Sequence, residues 1–443
     1  MKDKKCDINL YFIGIGGVSM SALAKYLFGM GFNVSGSDIK GGEVVGELME
    51  KGIKVYIGGN VDEVKRSEVV VYNSAIKDDD EELVAARESG AYLIARAELL
   101  KQVGENFKKR IGVCGCHGKT TVTCMLTHIY DEAKAKYTAH IGGFDGVFGN
   151  FRRTGDEVFI SEVCEFKKNI DLFSPDVGVC LSTEPDHLDC YSGEEELLKS
   201  YYSFIKRGYK SIISTEDKNL RTYDGGNKVT FGKCEGDFHA ANVSEKNGRY
   251  CFDLIYREKK LGRIELKVVG EYNMFNAIAA AACAYTDGIK FSAIKRGLEK
   301  FTGVKRRFEK IGSLSGAAVI ADYAHHPSEI RAALKTAEKI AKDRLYVVFQ
   351  PHTYSRTLFL KDDFKAVLGD VERLILFKTF PARERPIEGG SAYDLYEEMG
   401  KRGQYFDDAD KLYDFLKSNM REGDAALIVG AGDLYDILKK KLN

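Results

Sequence analysis

I-G-V-C-G-C-H-G-K-T-T, residues 111–121, is the stretch on which the fold of this chain turns. An apolar, strand-like run ends in a glycine-bounded turn, and Lys119 and two hydroxyl residues follow at once where a helical pattern begins. Glycine there leaves room for backbone N–H groups to close around a phosphate, and the helix N-terminus faces the same anion. Lys119 can reach the β- and γ-phosphates of a nucleoside triphosphate, and the Thr120 hydroxyl can ligate the Mg²⁺ that bridges them. The strict pattern has a further glycine where Val113 stands. Here Gly112 and Gly115 flank that position, leaving a shorter G-x-x-G-K-T loop.

Outward from this loop, the 443 residues are enough for about three domains. Apolar residues at 44% and charged residues at 30% describe an ordinary globular chain. Lys+Arg and Asp+Glu both number 66, so no basic excess points to nucleic acid. The first apolar stretch is short and ends in glycines, which reads as a strand and not a signal peptide. The alanine-rich run 276–285 is too short to span a bilayer. Ten cysteines without small-domain spacing read as reduced thiols of a cytoplasmic protein. The lysines at 439–441 close a last helix, where cations favour the dipole. No repeat or low-complexity segment interrupts the chain.

Apolar runs and helical patterns alternate on both sides of the loop. Residues 9–15, 33–37 and 69–72 read as strands and 18–28, 43–51 and 81–88 as helices, the rhythm of parallel βαβ units. After the loop, 158–160, 177–181 and 211–214 are strand candidates. The glycine-punctuated stretch 225–267 reads as short antiparallel strands, and 270–284 as an alanine-rich helix. A charged, glycine-marked stretch puts a linker near 303–305. Beyond it 318–321, 345–349, 374–377 and 425–429 read as strands between helices. The expectation is three α/β domains in a row: 1–108, 109–304 and 305–443.

Several further clusters sit at the ends of these strands. The turn Gly14-Ile-Gly16-Gly17-Val-Ser19 approximates G-x-G-x-x-G with Ser19 at the third glycine, and Asp38 follows the second strand. That suggests a dinucleotide turn with Asp38 on a ribose, although any nucleotide diphosphate would satisfy the same donors. Glu162 and Glu165 lie just past one strand, and E-P-D-H-L-D at 184–189 past another. Carboxylates and an imidazole at strand ends suit Mg²⁺ held with substrate phosphates. Asp322-Tyr323-Ala-His325-His326-Pro follows a later strand. Adjacent histidines in extended chain point opposite ways, so one is read as structural and the other as facing a ligand. P-H-T-Y-S-R-T at 351–357 supplies Arg356, a cation for carboxylate or phosphate. Cys114-Gly-Cys116-His117 is a poor zinc signature, because it lacks a second ligand pair and a phosphate loop does not accommodate a tetrahedral cage.

Taken in order, these motifs resemble the Mur ligases. The matching stretches are G-I-G-G-V-S-M-S-A-L-A, S-G-S-D, N-S-A-I, A-R-A-E-L-L, G-C-H-G-K-T-T, S-E-V-C-E-F and E-P-D-H-L-D. They continue through G-V-K-R-R-F-E, D-Y-A-H-H-P-S-E-I, F-Q-P-H-T-Y-S-R-T, P-A-R-E and V-G-A-G-D-L, nearly the whole chain. The resemblance implies a Rossmann-like UDP-binding domain, a central P-loop ATPase-type α/β domain and a C-terminal Rossmann-like domain that closes over ATP and amino acid. It implies a reaction of peptidoglycan precursor synthesis. The lactyl carboxylate of UDP-N-acetylmuramate attacks the γ-phosphate of ATP, and the amine of L-alanine then attacks the acyl phosphate. A catalytically idle UDP-sugar-binding protein, or a ligase for another amino acid, is the alternative. A nicotinamide oxidoreductase, resting on the first glycine turn alone, leaves residues 118–120 unexplained.

Carried over by position, Lys119, Glu162, His187, His325 and Arg356 would be catalytic, and Thr120, Glu162 and His187 would hold Mg²⁺. Gly115, His117, Gly118, Lys119, Thr120, Thr121, Asn273, Asn276, Arg307, Asp322 and Tyr323 would meet ATP. Gly16, Gly17, Ser37, Asp38 and Ser74 would hold the uridine diphosphate, and His326 and Arg383 would line the amino-acid end with His325 and Arg356. The resemblance implies a monomer or homodimer. Four positions depart from the family's pattern: Cys116 and Thr353 stand where Thr and Arg are usual, and Ser182 and Tyr272 where Asn and His are usual.

Overall fold

The computed structural model describes residues 6–74, 76–185, 190–382 and 384–442. The first five strands, β1 (Cys6–Ile13), β2 (Phe32–Asp38), β3 (Lys54–Ile57), β4 (Val69–Tyr72) and β5 (Tyr92–Ala95), form a parallel sheet in the order β3-β2-β1-β4-β5. Side chains alternate across a strand, so Leu10 and Phe12 enter one core cluster while Tyr11 and Ile13 enter another. Burial on both faces is what an all-parallel sheet requires. The strand order reverses between β1 and β4, and the glycine turn after β1 opens onto the crevice created there.

The next ten strands are β6 (Lys109–Cys114), β7 (Tyr137–Asp145), β8 (Gly149–Arg153), β9 (Val158–Glu162), β10 (Val177–Cys180), β11 (Lys210–Ser214), β12 (Lys228–Phe231), β13 (Phe238–Lys246), β14 (Arg249–Tyr256) and β15 (Lys259–Val269). Their order is β15-β14-β13-β12-β11-β10-β6-β9-β7-β8. β6 lies between β10 and β9 and runs parallel to both, so the loops after all three strands share one crevice. The structure corrects the reading of 225–267 as all antiparallel. β12 pairs with β11 in parallel, because the short helix Lys218–Arg221 lies in the crossover that returns the chain in the same direction.

Residues 1–242, 252–264 and 275–301 make one compact unit, so the first two sheets pack together. Lys25, on the Val18–Gly29 helix behind the glycine turn, donates to Asn150 Oδ1 at 2.8 Å. Asn150 returns bonds to Val18 O at 2.6 Å and Ser21 Oγ at 2.8 Å.

Residues 243–251, 265–274 and 302–443 make a second unit. Its sheet runs β16 (Glu309–Leu314), β17 (Ala317–Asp322), β21 (Ala425–Val429), β18 (Leu345–Phe349), β19 (Arg373–Phe377), β20 (Gln404–Phe406), with only β16 antiparallel. Val319, Ala321, Tyr346 and Val348 face one apolar cluster, and Ile320, Val347 and Phe349 the other, so helices cover both faces. Among the described residues no helix is long and apolar enough to cross a membrane.

Candidate active site

The sequence 111–114 forms the end of β6 because Ile111, Val113 and Cys114 are wholly buried among neighbouring strands. The chain then turns through residues 115–118 into the helix Lys119–Glu132. Gly115 has φ of +125°, and a Cβ there would come within 2.8 Å of the Ser182 backbone nitrogen. Gly118 has φ of +82°, and its Cβ would lie 2.5 Å from Asn276 Oδ1. Only glycine combines that backbone conformation with that approach. Asn276 is thereby placed beside the loop, and Thr121 is buried at the start of the helix.

Lys119 Nζ donates to Gly115 O at 2.6 Å and Cys116 O at 3.2 Å, and pairs with both Glu165 oxygens at 3.1 and 3.2 Å. Burial by itself would lower the pKa of this ammonium. Glu165, which is wholly buried, outweighs it and holds Lys119 above the ordinary lysine value. The lysine therefore stays charged and is curled against its own loop, and Tyr191 OH fixes Glu165 by donating to its carbonyl at 2.6 Å. Glu165 was seen at a strand end by sequence, but its role as the partner of Lys119, 46 residues away, could not be read there.

Thr120 Oγ1 donates to Glu162 Oε2 at 2.6 Å. Glu162 lies over Gly142 of β7 so closely that a Cβ at 142 would overlap its carboxylate. Two oxygens side by side suit a hard cation: adjacent ligands on octahedral Mg²⁺, each 2.0–2.1 Å away, are about 2.9 Å apart. Thr120 and Glu162 thus fit the ion assigned to them. His187 lies outside the described residues.

Behind Glu162 is a polar chain that sequence reasoning left without a role. Arg96 is half-buried at the start of its helix, and loss of water draws its guanidinium below the usual arginine value against the pull of Cys164 and Glu162. It donates to Ser19 Oγ at 3.4 Å, and Ser19 in turn meets His140 Nε2 at 2.8 Å. His140 Nδ1 meets Ser161 Oγ at 3.1 Å. Burial, reinforced by Arg96, pushes the His140 imidazole down to about 3, so it is a neutral link between the glycine turn and β9. Arg96, Ser19 and Ser161 fall in the A-R-A-E-L-L, G-I-G-G-V-S-M-S-A-L-A and S-E-V-C-E-F motifs, but no motif marked His140.

At the first crevice, Gly14 and Ile15 donate backbone N–H groups to Ser37 O at 2.9 and 2.8 Å, and Gly16 N donates to Asp38 Oδ2 at 2.9 Å. Asp38 therefore clasps the turn that contains Gly16 and Gly17. Ser37 is buried and its hydroxyl donates to Glu82 at 2.5 Å, in a network that Tyr11 joins at 2.6 Å. Its carbonyl supports the turn, and its hydroxyl is committed to Glu82. Ser74 is exposed, and its carbonyl accepts from Lys167 Nζ at 3.1 Å.

In the second unit, the loops after β17 and β18 bring together His325, His352 and Arg356. The two imidazole rings are 5.9 Å apart, and Arg356 approaches His352 Nδ1 at 3.3 Å. Burial, with His325 and Arg356 adding to it, pushes His352 down to about 3 and keeps it a neutral acceptor. The Asp322 carboxyl is pushed up to about 6 by burial, against the pull of Arg307. Its oxygens accept N–H groups of Phe308 at 2.9 Å and Ala324 at 2.7 Å. The Arg307 guanidinium stacks 5.2 Å over the Tyr323 ring. His326 caps the helix Pro327–Glu338, accepting the Ser328 N–H at 3.4 Å, while Glu329 receives the N–H groups of His325 and His326. The histidine expected to be structural is thus His326. Asn273 donates its amide to Val269 O at 2.7 Å. Arg383 lies outside the described residues.

The Mur ligase family's catalytic domain matches residues 9–108, the Mur ligase middle domain residues 113–284, and the Mur ligase glutamate ligase domain residues 306–432. The chain belongs to the Mur ligase family. A UDP-N-acetylmuramate–L-alanine ligase of Clostridium acetobutylicum is 39% identical over 98% of each chain. The protein of that name from Clostridium novyi is 38% identical over 97% of this chain and 96% of its own. The crystal structure of UDP-N-acetylmuramate-alanine ligase from Thermotoga maritima is similar with a TM-score of 0.81 at 27% identity, covering 98% of this chain and 97% of that one.

The four departures of this Mur ligase now have places. Cys116 lies on the phosphate loop, its sulfur 3.3 Å from His117 Nε2, and the same nitrogen is 3.1 Å from Glu184 Oε2. Ser182 lends its backbone to the Gly115 approach. The Tyr272 hydroxyl is buried, and burial and Asp322 raise the phenol well above the ordinary value. Thr353 takes φ of +67° as N-cap of the helix Tyr354–Phe359, accepting the Arg356 N–H at 3.4 Å. A β-branched residue in that region is strained, and it sits next to Arg356 in the site.

Proposed function

We propose that this Mur ligase joins L-alanine to the lactyl carboxylate of UDP-N-acetylmuramate at the expense of ATP, in the cytoplasmic supply of peptidoglycan precursors. The observation that carries this reading is the assembly of Lys119, Thr120, Glu162 and Glu165 at the mouth of β6, in a chain matched along nearly its full length by ligases of that name. Residues 1–108 hold the uridine diphosphate, at the turn of Gly16 and Gly17 with Asp38 and Ser74. Residues 109–304 hold ATP, and 305–443 complete the adenosine and amino-acid ends, the whole working as a monomer or homodimer.

A carboxylate is a poor acyl donor until one of its oxygens becomes part of a phosphate leaving group. Phosphoryl transfer asks the protein mainly for positioning and charge neutralisation. Lys119 exchanges Glu165 for the β/γ-phosphates, and the backbone N–H groups of residues 115–121, with His117 and Asn276, hold the triphosphate in place. Thr120 and Glu162, helped by His187, hold Mg²⁺, which when bound neutralises the charge that builds on the transferring phosphoryl group. Arg307, Asp322, Tyr323 and Asn273 serve the adenosine and phosphates. His325 and Arg356, with Arg383, orient the amino acid so that its amine meets the acyl carbon and phosphate departs. His352, neutral beside Arg356, fixes that guanidinium.

Phosphate release measured with a panel of amino acids at saturating ATP and UDP-N-acetylmuramate tests the assignment. Release should need both the UDP-sugar and an amino acid and should be fastest with L-alanine. Release indifferent to either, or fastest with an amino acid other than L-alanine, would overturn it.

A further inference from the structure

The phosphate loop carries a second, softer set of donors, of which only His117 is given a part in holding ATP. Cys116 Sγ, an imidazole nitrogen of His117 and a Glu184 carboxylate oxygen all lie within 4.8 Å of one another. Cys116 and His117 come from the loop after β6, and Glu184 from the loop after β10 on the neighbouring strand. Sequence spacing gave Cys114-Gly-Cys116-His117 no further ligand. The fold supplies one from 67 residues away, and Cys114 is not part of the set.

We propose that Cys116, His117 and Glu184 form a site for a thiophilic divalent cation of the zinc class, separate from the oxygen-lined Thr120–Glu162 pair. In a tetrahedral zinc site the sulfur and nitrogen ligands are about 3.6 Å apart, and nitrogen and oxygen ligands about 3.3 Å, given Zn–S near 2.3 Å and Zn–N or Zn–O near 2.0–2.1 Å. The corresponding separations here are 3.3 Å for Cys116 Sγ to His117 Nε2 and 3.1 Å for His117 Nε2 to Glu184 Oε2. Cys116 Sγ is also 3.5 Å from Nδ1, so the sulfur lies over the ring face, and the imidazole must turn about its Cβ–Cγ bond to aim a lone pair at the ion. His117 keeps 25% and Glu184 48% of its side-chain surface exposed, which leaves the fourth position open to water.

Binding converts the Cys116 thiol to thiolate and releases its proton to solvent. The neighbouring Lys119 ammonium and the helix N-terminus favour that thiolate. Thiolate and carboxylate together neutralise a divalent charge. The threonine usual at this position in the family offers a hydroxyl, which has little affinity for a soft ion; the site belongs to chains with cysteine here.

Cobalt titration of the whole enzyme, free of nucleotide, tests the site through the thiolate-to-metal charge-transfer band in the near ultraviolet. Co²⁺ at the oxygen-lined pair gives no such band. The wild type should show it, Cys116→Thr should abolish it, Glu184→Gln should weaken cobalt binding on the order of tenfold or more, and Zn²⁺ should displace the cobalt. No band in the wild type, or a band of equal strength and affinity in Cys116→Thr, overturns the proposal.

Discussion

The phosphate loop and the cluster after β17 and β18 were both singled out by contiguous motifs, yet the structure treats them differently. At the loop the expected residues meet one another: Thr120 bonds Glu162, and Gly118 lies against Asn276. In the cluster some are committed to local structure. His326 caps a helix, and Asp322 accepts two backbone N–H groups. A strand–turn–helix that binds phosphate uses mostly its own backbone, so the residues that fold it are the residues that work. A site built from side chains on separate loops needs other residues to fix those loops. Proximity in sequence to a working residue then says little about role.

Lys119→Ala should have the largest effect. Phosphate release should fall on the order of a thousandfold, while binding of the UDP-sugar changes little. The substitution also strands the buried Glu165 carboxylate, a loss of about 3–5 kcal/mol in stability. Lys119→Ala with Glu165→Gln should recover the stability measured by denaturant unfolding and none of the activity. Recovery of neither would mean that the pair does not hold the loop.

Next comes the titration of Asp322. Its folded value of about 6 lies above the usual 3.8, so the native state holds this proton more tightly than the unfolded chain does. That contribution to stability is complete below about pH 4 and is lost as pH rises through about 6, a swing of about 3 kcal/mol. Unfolding of the wild type and Asp322→Asn at both ends of this window should show their stability difference shrinking by that amount at the higher pH. A constant difference would put the carboxyl in water.

Thr120→Val should raise the Mg²⁺ concentration needed for half-maximal phosphate release on the order of tenfold or more, because it removes one of two paired oxygens. An unchanged requirement would take Thr120 off the metal. His326→Ala should have the smallest effect, about 1 kcal/mol of stability from the lost cap, with the KM for L-alanine unchanged. A marked rise in that KM would return His326 to the amino-acid end and narrow the contrast between the two regions.

The sequence carried the alternation of strands and helices and the loop at 115–121, because strand, turn and helix each leave a local pattern. It did not carry β3 and β5, because K-V-Y-I and Y-L-I-A lack the unbroken β-branched run that marks the equally short β4, V-V-V-Y. β7 and β8 were missed because Gly142, Gly143 and Arg152 break their apolar pattern. The direction of β12 depends on its crossover and not on its own residues. The Glu165 partnership, the Arg96–Ser19–His140 chain and the role of His352 arise from pairings that the sheet order creates. The His326 cap did leave a trace: proline at the first helical position and Glu329 two residues later are helix-start signals.

The central claim is that ATP activates the substrate carboxylate as an acyl phosphate. UDP-N-acetylmuramate carrying heavy oxygen in its lactyl carboxylate, turned over with ATP and L-alanine, tests it most directly. One labelled oxygen should appear in each inorganic phosphate released, because the oxygen that attacks phosphorus leaves with it. Phosphate free of label, with the displaced heavy oxygen found in water or in the nucleotide instead, would contradict the account.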